Sequence, residues 1–343
     1  MFRFPARRRA LPLLLLGGTA CALATPEKAY LSQVQAPVTT ATAADAALTQ
    51  FAADGFTGSV LIARGSRVLL YKGYGDANRA RELPNNAETK YPFGTLTSTF
   101  TAAAILGLEA EGRLRLDQPA AELVGSEAGT ATIAELLAPD AAPQVARAAR
   151  YGSDPSAAAP ATRSALLDRV LEAASGQPAA QAIRDRVIVP AGLTRTVMDD
   201  GTLGDSLVAR GYTGPYGETV VVTGLVGPLA DLYRWHQALR LGTFLPLAER
   251  HQMIAPAGSG DGPGWSVGRT ADGARVIEHV SRQAGFELWY GYFPEQDLLI
   301  LLAANNDGGY REPIAARLTS LLVRNGAVAA RPVVTKEQRA GGS

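Results

Sequence analysis

Two hydroxyls stand one helical turn apart at the head of a long apolar run. In FGTLTSTFTAAAIL, residues 93–106, a Phe-Gly approach leads into Thr95 and Ser98 and then into an uninterrupted stretch with helical character. A hydroxyl held there lies at the positive end of a helix dipole, where developing negative charge is stabilised. To attack a carbonyl at neutral pH it also needs a neighbouring base. A lysine one turn later would serve, but Ser98 stands at that place, and no Ser-x-x-Lys occurs anywhere in the chain. Thr95 equally suits a helix N-cap, where its oxygen would accept a free backbone N–H. Its β-methyl also stiffens the side chain and crowds an attack path. The other candidate bases are the three histidines, His236, His251 and His279. His236 and His251 fall on helical or turn segments and read as exposed surface residues. A second serine, Ser266, sits in GWSVG at residues 264–268, which matches the Gly-x-Ser-x-Gly elbow. That motif needs a strand turning sharply into a helix, whereas RTADGARVIEHV follows here, a turn and another strand-like run.

Several elements must position these groups. ADAALTQFAADG has a helical pattern, and GSVLIARGSRVLLYKGYG reads as two strands joined at residues 64–66. Helical segments follow, among them LLDRVLEAASGQP, with a stop at Gly176 and Pro178, and GPLADLYRWHQALRLG. From about Gly264 the pattern returns to strands, in GWSVGRT, ARVIEHV, FELWYGYFP and LLILLAANN, before a last helix, REPIAARLTSLLVRNG. Strands at both ends with helices between predict an α/β chain: an antiparallel sheet built from both termini, flanked by helices, with an inserted helical lobe. The expected organisation is a sheet lobe at 46–93 and 264–330 around a helical lobe at 94–263. Residues 25–45 are expected to form a flexible lead-in and 331–343 a disordered tail.

Taken in order, these segments resemble the serine β-lactamase and penicillin-binding-protein superfamily, most closely its class C β-lactamase, D-alanyl-peptidase and esterase branch. The likeness runs over about residues 46–325. It is carried by FTGSVLIARGSRVLLYKGYGDANRARELPNNAETKYPFG, FTAAAILGLEAEGRLRLDQPAAEL, LLDRVLEAASGQP with VIVPAGLTRTVM, GLVGPLADLYRWHQAL, GPGWSVG and EHVSRQAGFELWYGYFPEQDLLILLAANND. The resemblance implies a β-lactamase-like fold and acyl transfer by an S-x-x-K serine and lysine, a Tyr-x-Asn or Ser-x-Asn motif, and a Lys-Thr-Gly or His-x-Gly motif. All three motifs are changed here. The first falls on Thr95-Leu96-Thr97-Ser98. The second, counted back from Ser175-Gly176-Gln177, falls on Ala159-Pro160-Ala161, and Tyr151 is the only tyrosine nearby. The third, fixed by Gly285-Phe286, falls on His279-Val280-Ser281, where Ser281 replaces a glycine whose missing side chain lets a ligand lie along the strand edge.

On this basis the expectation is a catalytically impaired homologue, a pseudoenzyme whose cleft would bind a peptide, a cell-wall fragment or another protein. The alternative is a working esterase, amidase or β-lactamase-type hydrolase in which His279 acts as the base for Thr95, since the family topology brings that strand beside the nucleophile. Thr95, Ser98 and His279 are the degenerate catalytic positions, with Ser281, Tyr151 and Gly285 as candidate binding positions.

The bulk properties exclude other classes. Thirty-three basic residues face 32 acidic ones, for a net charge of +1 without long charge runs, which gives no footing for nucleic-acid binding. Neither a Walker-type phosphate loop nor a metal-ligand spacing of histidines is present, so no cofactor or metal is expected. Residues 1–24 read as an export signal, with a basic start at Arg3, Arg7, Arg8 and Arg9, the apolar ALPLLLL, and CALA before Thr25. The single cysteine, Cys21, rules out an internal disulfide. Its place after the apolar run leaves two alternatives, a lipid-anchored lipoprotein and a soluble exported protein. Either way the expected location is outside the cytoplasm, in the periplasm, secreted or at a membrane surface.

Overall fold

The computed structural model describes residues 38–138, 162–199, 203, 207–214, 217–219, 224–254, 263–270 and 273–329. The expected export signal with Cys21, the lead-in up to residue 37, Tyr151 and the tail at 331–343 lie outside the described residues.

Helix α1 spans Val38–Ala53 and so begins inside the stretch assigned to the lead-in. It is followed by the hairpin of β1 (Gly58–Arg64) and β2 (Arg67–Tyr74). Strand β3 (Lys90–Pro92) leads into α2 (Thr97–Ala110), and α3 (Arg163–Ser175) ends at Gly176 in the left-handed conformation. Strands β4 (Val197–Asp199) and β5 (Gly224–Pro228) lie on either side of the 203–219 region, and α4 (Leu229–Leu241) and α5 (Leu247–Ile254) follow. The chain then runs through β6 (Ser266–Arg269), β7 (Arg275–Gln283), β8 (Phe286–Phe293) and β9 (Leu298–Ala304) into α6 (Arg311–Ala329).

Six strands form one antiparallel sheet in the order β6-β7-β8-β9-β1-β2. The two ends of the chain meet in its centre, where Gly58 pairs with Ala304 and Arg64 with Leu298. β9 is buried along its whole length, which explains why LLILLAA reads as a continuous apolar run and not as an alternation. Its residues alternate between two cores. On one face Leu298, Ile300 and Leu302 pack with Val60, Ile62 and Trp289 against Leu48 of α1 and Ile314, Leu318 and Leu322 of α6. On the other face lie α4 and, beyond it, the elements that carry the hydroxyls.

β3 is held to this sheet by a buried polar contact and to the short sheet β3-β5-β4 by pairing. The Tyr91 hydroxyl lies 2.7 Å from that of Ser59 on β1 and donates to Asn85 Oδ1 at 2.6 Å. β4 is tied to α4 by Asp231, which is fully buried. Asp231 accepts from the Arg195 N–H (2.9 Å), the Thr196 hydroxyl (2.8 Å) and Arg234 Nη1 (2.6 Å). No helix among the described residues is long and apolar enough to cross a membrane.

Candidate active site

β3 hands the chain to Phe93, whose N–H donates to Leu225 O at 2.7 Å and whose ring is buried and stacks on Phe100 of α2 at 6.0 Å. Anchored there, Gly94–Leu96 forms a single 3₁₀ turn before α2 starts at Thr97. The capping role expected of Thr95 is therefore not observed. Leu96 occupies the N-cap, no side chain caps the helix, and the Thr95 hydroxyl is left for another partner. Gly94 sits at φ +54°, and a Cβ there would collide with Ser281 Oγ and the Gln283 amide. Glycine at this point lets the turn approach β7 closely.

The approach is possible because β6 pairs only as far as Glu278. From His279 onward the β7 edge is open, and residues 279 and 281 fall on one face by the two-residue period of a strand. Both reach the turn. His279 Nε2 lies 3.0 Å from Thr95 Oγ1, and Ser281 Oγ accepts the Thr95 backbone N–H at 3.0 Å. The other ring nitrogen, Nδ1, lies 2.7 Å from Gly264 O. A carbonyl oxygen only accepts, so Nδ1 carries the proton, Nε2 presents a lone pair, and the Thr95 hydroxyl donates to it. Gly264, at φ +81°, lies against Thr99 of α2, where a Cβ would approach Thr99 Cγ2 to 2.7 Å. The carbonyl that orients the imidazole is thus placed by the same helix that places Thr95. Burial holds the His279 pKa below the usual histidine value, and the nearby Arg163 charge lowers it further, while the bond to Gly264 opposes this. The ring is neutral at neutral pH, the form a general base requires.

Ser98 is not hydrogen-bonded to His279. Its hydroxyl bonds back to the Thr95 carbonyl at 2.8 Å. Ser281 is 3% exposed and occupies the backbone donor nearest the Thr95 hydroxyl. Gly285 lies in the β7–β8 hairpin at φ +76°, packed against the backbone of Gly211 and Tyr212, and does not line the space around Thr95. Ser266 is on β6, paired with Glu278, with no helix after it, so the elbow geometry is absent. His236 departs from the surface role read from its helix. It is 4% exposed, with Nδ1 2.6 Å from the Tyr290 hydroxyl. Among the described residues no group of three or more histidines, cysteines or acids is placed to hold a metal.

Thr95 opens onto two adjoining hollows of about 240 and 410 Å³. Arg163 lines both, and it was not singled out from the sequence. It is the first residue of α3, half-buried, with Nη1 donating to Ala138 O at 3.0 Å, and burial lowers its pKa. Asp168, one and a half turns on, lines the larger hollow. Its carboxyl is raised by burial and by Glu172, and the Thr101 hydroxyl reaches it at 3.5 Å. One basic and one acidic group therefore flank the Thr95–His279 pair.

A family model described as Beta-lactamase matches residues 44–324. The protein flp of Staphylococcus aureus is 36% identical over 87 residues, a match covering 23% of this chain and 18% of that protein's length. The octameric penicillin-binding protein homologue from Pyrococcus abyssi superposes with a TM-score of 0.66 at 22% identity, over 83% of this chain and 77% of that one. A class C beta lactamase from Rhodobacter sphaeroides superposes with a TM-score of 0.64 at 18% identity, over 83% and 99%. At these identities the two structures share the fold.

Proposed function

The chain belongs to the beta-lactamase family, and from that premise we propose that it is an acyl-transfer hydrolase in which Thr95 is the nucleophile and His279 its base. The observation that carries this reading is the 3.0 Å contact between Thr95 Oγ1 and His279 Nε2, with Nδ1 held by Gly264 O. The Thr95 hydroxyl attacks an acyl carbon as its proton passes to Nε2. The resulting imidazolium, still held through Nδ1, then protonates the leaving group, and water releases the acyl group by the reverse exchange. A lowered His279 pKa makes a weak base. Activated esters, whose carbonyl and leaving group need the least help, are accordingly the expected substrates, and turnover is slow.

A second reading, a catalytically impaired homologue that binds a peptide, cell-wall fragment or protein, is favoured by the Ser281 contact. The Thr95 N–H, the donor best placed for a developing oxyanion, is already bonded to Ser281 Oγ. An unstabilised oxyanion forfeits what is usually the largest single contribution to such catalysis. On either reading, the export signal expected at residues 1–24 makes the working location proposed here extracytoplasmic, and Cys21 the proposed point of any lipid attachment.

Incubation with a fluorophosphonate ester followed by peptide mass spectrometry tests the choice. The hydrolase reading expects a covalent adduct on Thr95 that is absent in Thr95→Ala and forms about 10²–10⁴-fold more slowly in His279→Ala. A folded protein that stays unmodified at high probe concentration establishes the binding-only reading instead.

A further inference from the structure

A separate cavity of about 310 Å³ lies between α4, α5, Trp265 and strands β7 and β8, a volume at the lower end of small-molecule sites. Only Trp265 is shared between its wall and the hollow holding His279. Its body is apolar, formed by Leu239, Met253, Ile277 and the rings of Tyr290 and Tyr292, and Leu247 at the mouth is 57% exposed. Its charges have one sign. Arg240, Arg250 and Arg275 line it together with His236 and His251, and no carboxylate does so among the described residues.

The three arginines are not equally available. Arg240 is paired with Asp297, and Arg250 Nη1 donates to the Leu239 and Arg240 carbonyls at 3.2 and 2.8 Å, closing the end of α4. The Arg275 guanidinium makes no hydrogen bond or ion pair among the described residues, the Glu295 carboxylate beside it bonding only its backbone N–H at 3.3 Å, and its register partner on β6 is another arginine, Arg269. His236 is held neutral by burial, its pKa pushed down to about 3, so it adds polarity without charge. An aromatic-walled cavity with an unneutralised guanidinium and no acidic wall suits a ligand with a flat apolar body and one anionic end.

We propose that this cavity is a binding site for a small organic carboxylate, with Arg275 receiving the carboxylate and the tyrosine and leucine walls receiving the body. The site is independent of Thr95 chemistry and stands whichever reading of the cleft holds.

Isothermal titration with three matched probes tests it: 4-phenylbutyrate, 4-phenylbutanol and 4-phenylbutylamine, which share a body and differ in charge. One phenylbutyrate binds per chain at least about tenfold more tightly than the alcohol, and the amine does not bind. Arg275→Gln, a partly exposed strand position that leaves the fold intact, weakens phenylbutyrate about tenfold and leaves the alcohol unchanged. Binding also alters tryptophan emission, and Trp265→Phe removes that change. Equal affinity for acid and alcohol, no effect of Arg275→Gln, no acid binding up to its solubility, or an emission change that survives Trp265→Phe overturns the proposal.

Discussion

Replacing Ser281 by alanine removes the oxygen that accepts the Thr95 N–H and leaves the rest of β7 in register. The bond is 3.0 Å long and its acceptor is 3% exposed, so it is a neutral, buried hydrogen bond of ordinary strength, about 0.5–1.5 kcal/mol net. If Ser281 swings aside in the wild-type reaction, alanine saves that cost, and acylation of Thr95 speeds up about 2- to 10-fold. If Ser281 stays in place throughout, alanine restores a missing oxyanion donor, and the gain rises to about 10²–10³-fold. Both cases predict an increase. The opposing term is an N–H left without a partner in the free protein, which costs about 1–3 kcal/mol of stability and lowers the unfolding midpoint. The assay is the rate of Thr95 labelling by a fluorophosphonate ester, followed by intact mass, alongside thermal unfolding to establish that the variant is folded. Labelling at the wild-type rate or slower by folded Ser281→Ala refutes the argument. It would mean that the Ser281 hydroxyl donates to the oxyanion itself, or that the Thr95 N–H is not the relevant donor.

Three further outcomes follow from the same geometry. Because the His279 pKa is held below the ordinary value of 6.5, the acid limb of the labelling rate falls below pH 6.5. A limb at or above that value contradicts the half-buried, neutral imidazole. His236 has a folded pKa of about 3 against 6.5 when unfolded, so between those values the unfolded chain binds the extra proton. Stability is therefore lost on acidification through that window, by up to about 1.4 kcal/mol per pH unit, and urea titrations should show a shallower acid dependence for His236→Phe. Asp231→Ala removes the fully buried carboxylate that accepts from the Arg195 N–H, the Thr196 hydroxyl and Arg234 Nη1 at the start of α4, and should cost about 3–5 kcal/mol in chemical unfolding. A loss below about 1 kcal/mol would show that solvent or another acid takes its place.

The architecture was legible where local chemistry and tertiary structure agree. The turn at Gly65 announced the β1–β2 hairpin, Gly176 announced the end of α3, and the apolar run at 298–304 announced a strand. The site was legible in its members but not in its bonds. Thr95 and His279 could be placed by the order of the segments, yet capping was an equally good local use for threonine. The 3₁₀ turn at Gly94–Leu96, which moves the helix start to Thr97, is a packing result with no local signal. His236 looked like a surface residue because helical spacing does not reveal that Tyr290 and Tyr292 of β8 close over that face. Arg163 went unnoticed because an arginine at the head of a polar helix is unremarkable until α2 is brought against it.

The central pairing of β1 with β9 also dictates an order of events during synthesis. A growing polypeptide presents β1 and the Thr95 turn long before β7 and β9 have been made. Until β7 emerges the imidazole that contacts Thr95 has not been made, and until β9 emerges β1 has a neighbour on one side only. A message cut short before Leu298 yields a protein with an uncovered apolar edge, a substrate for proteases.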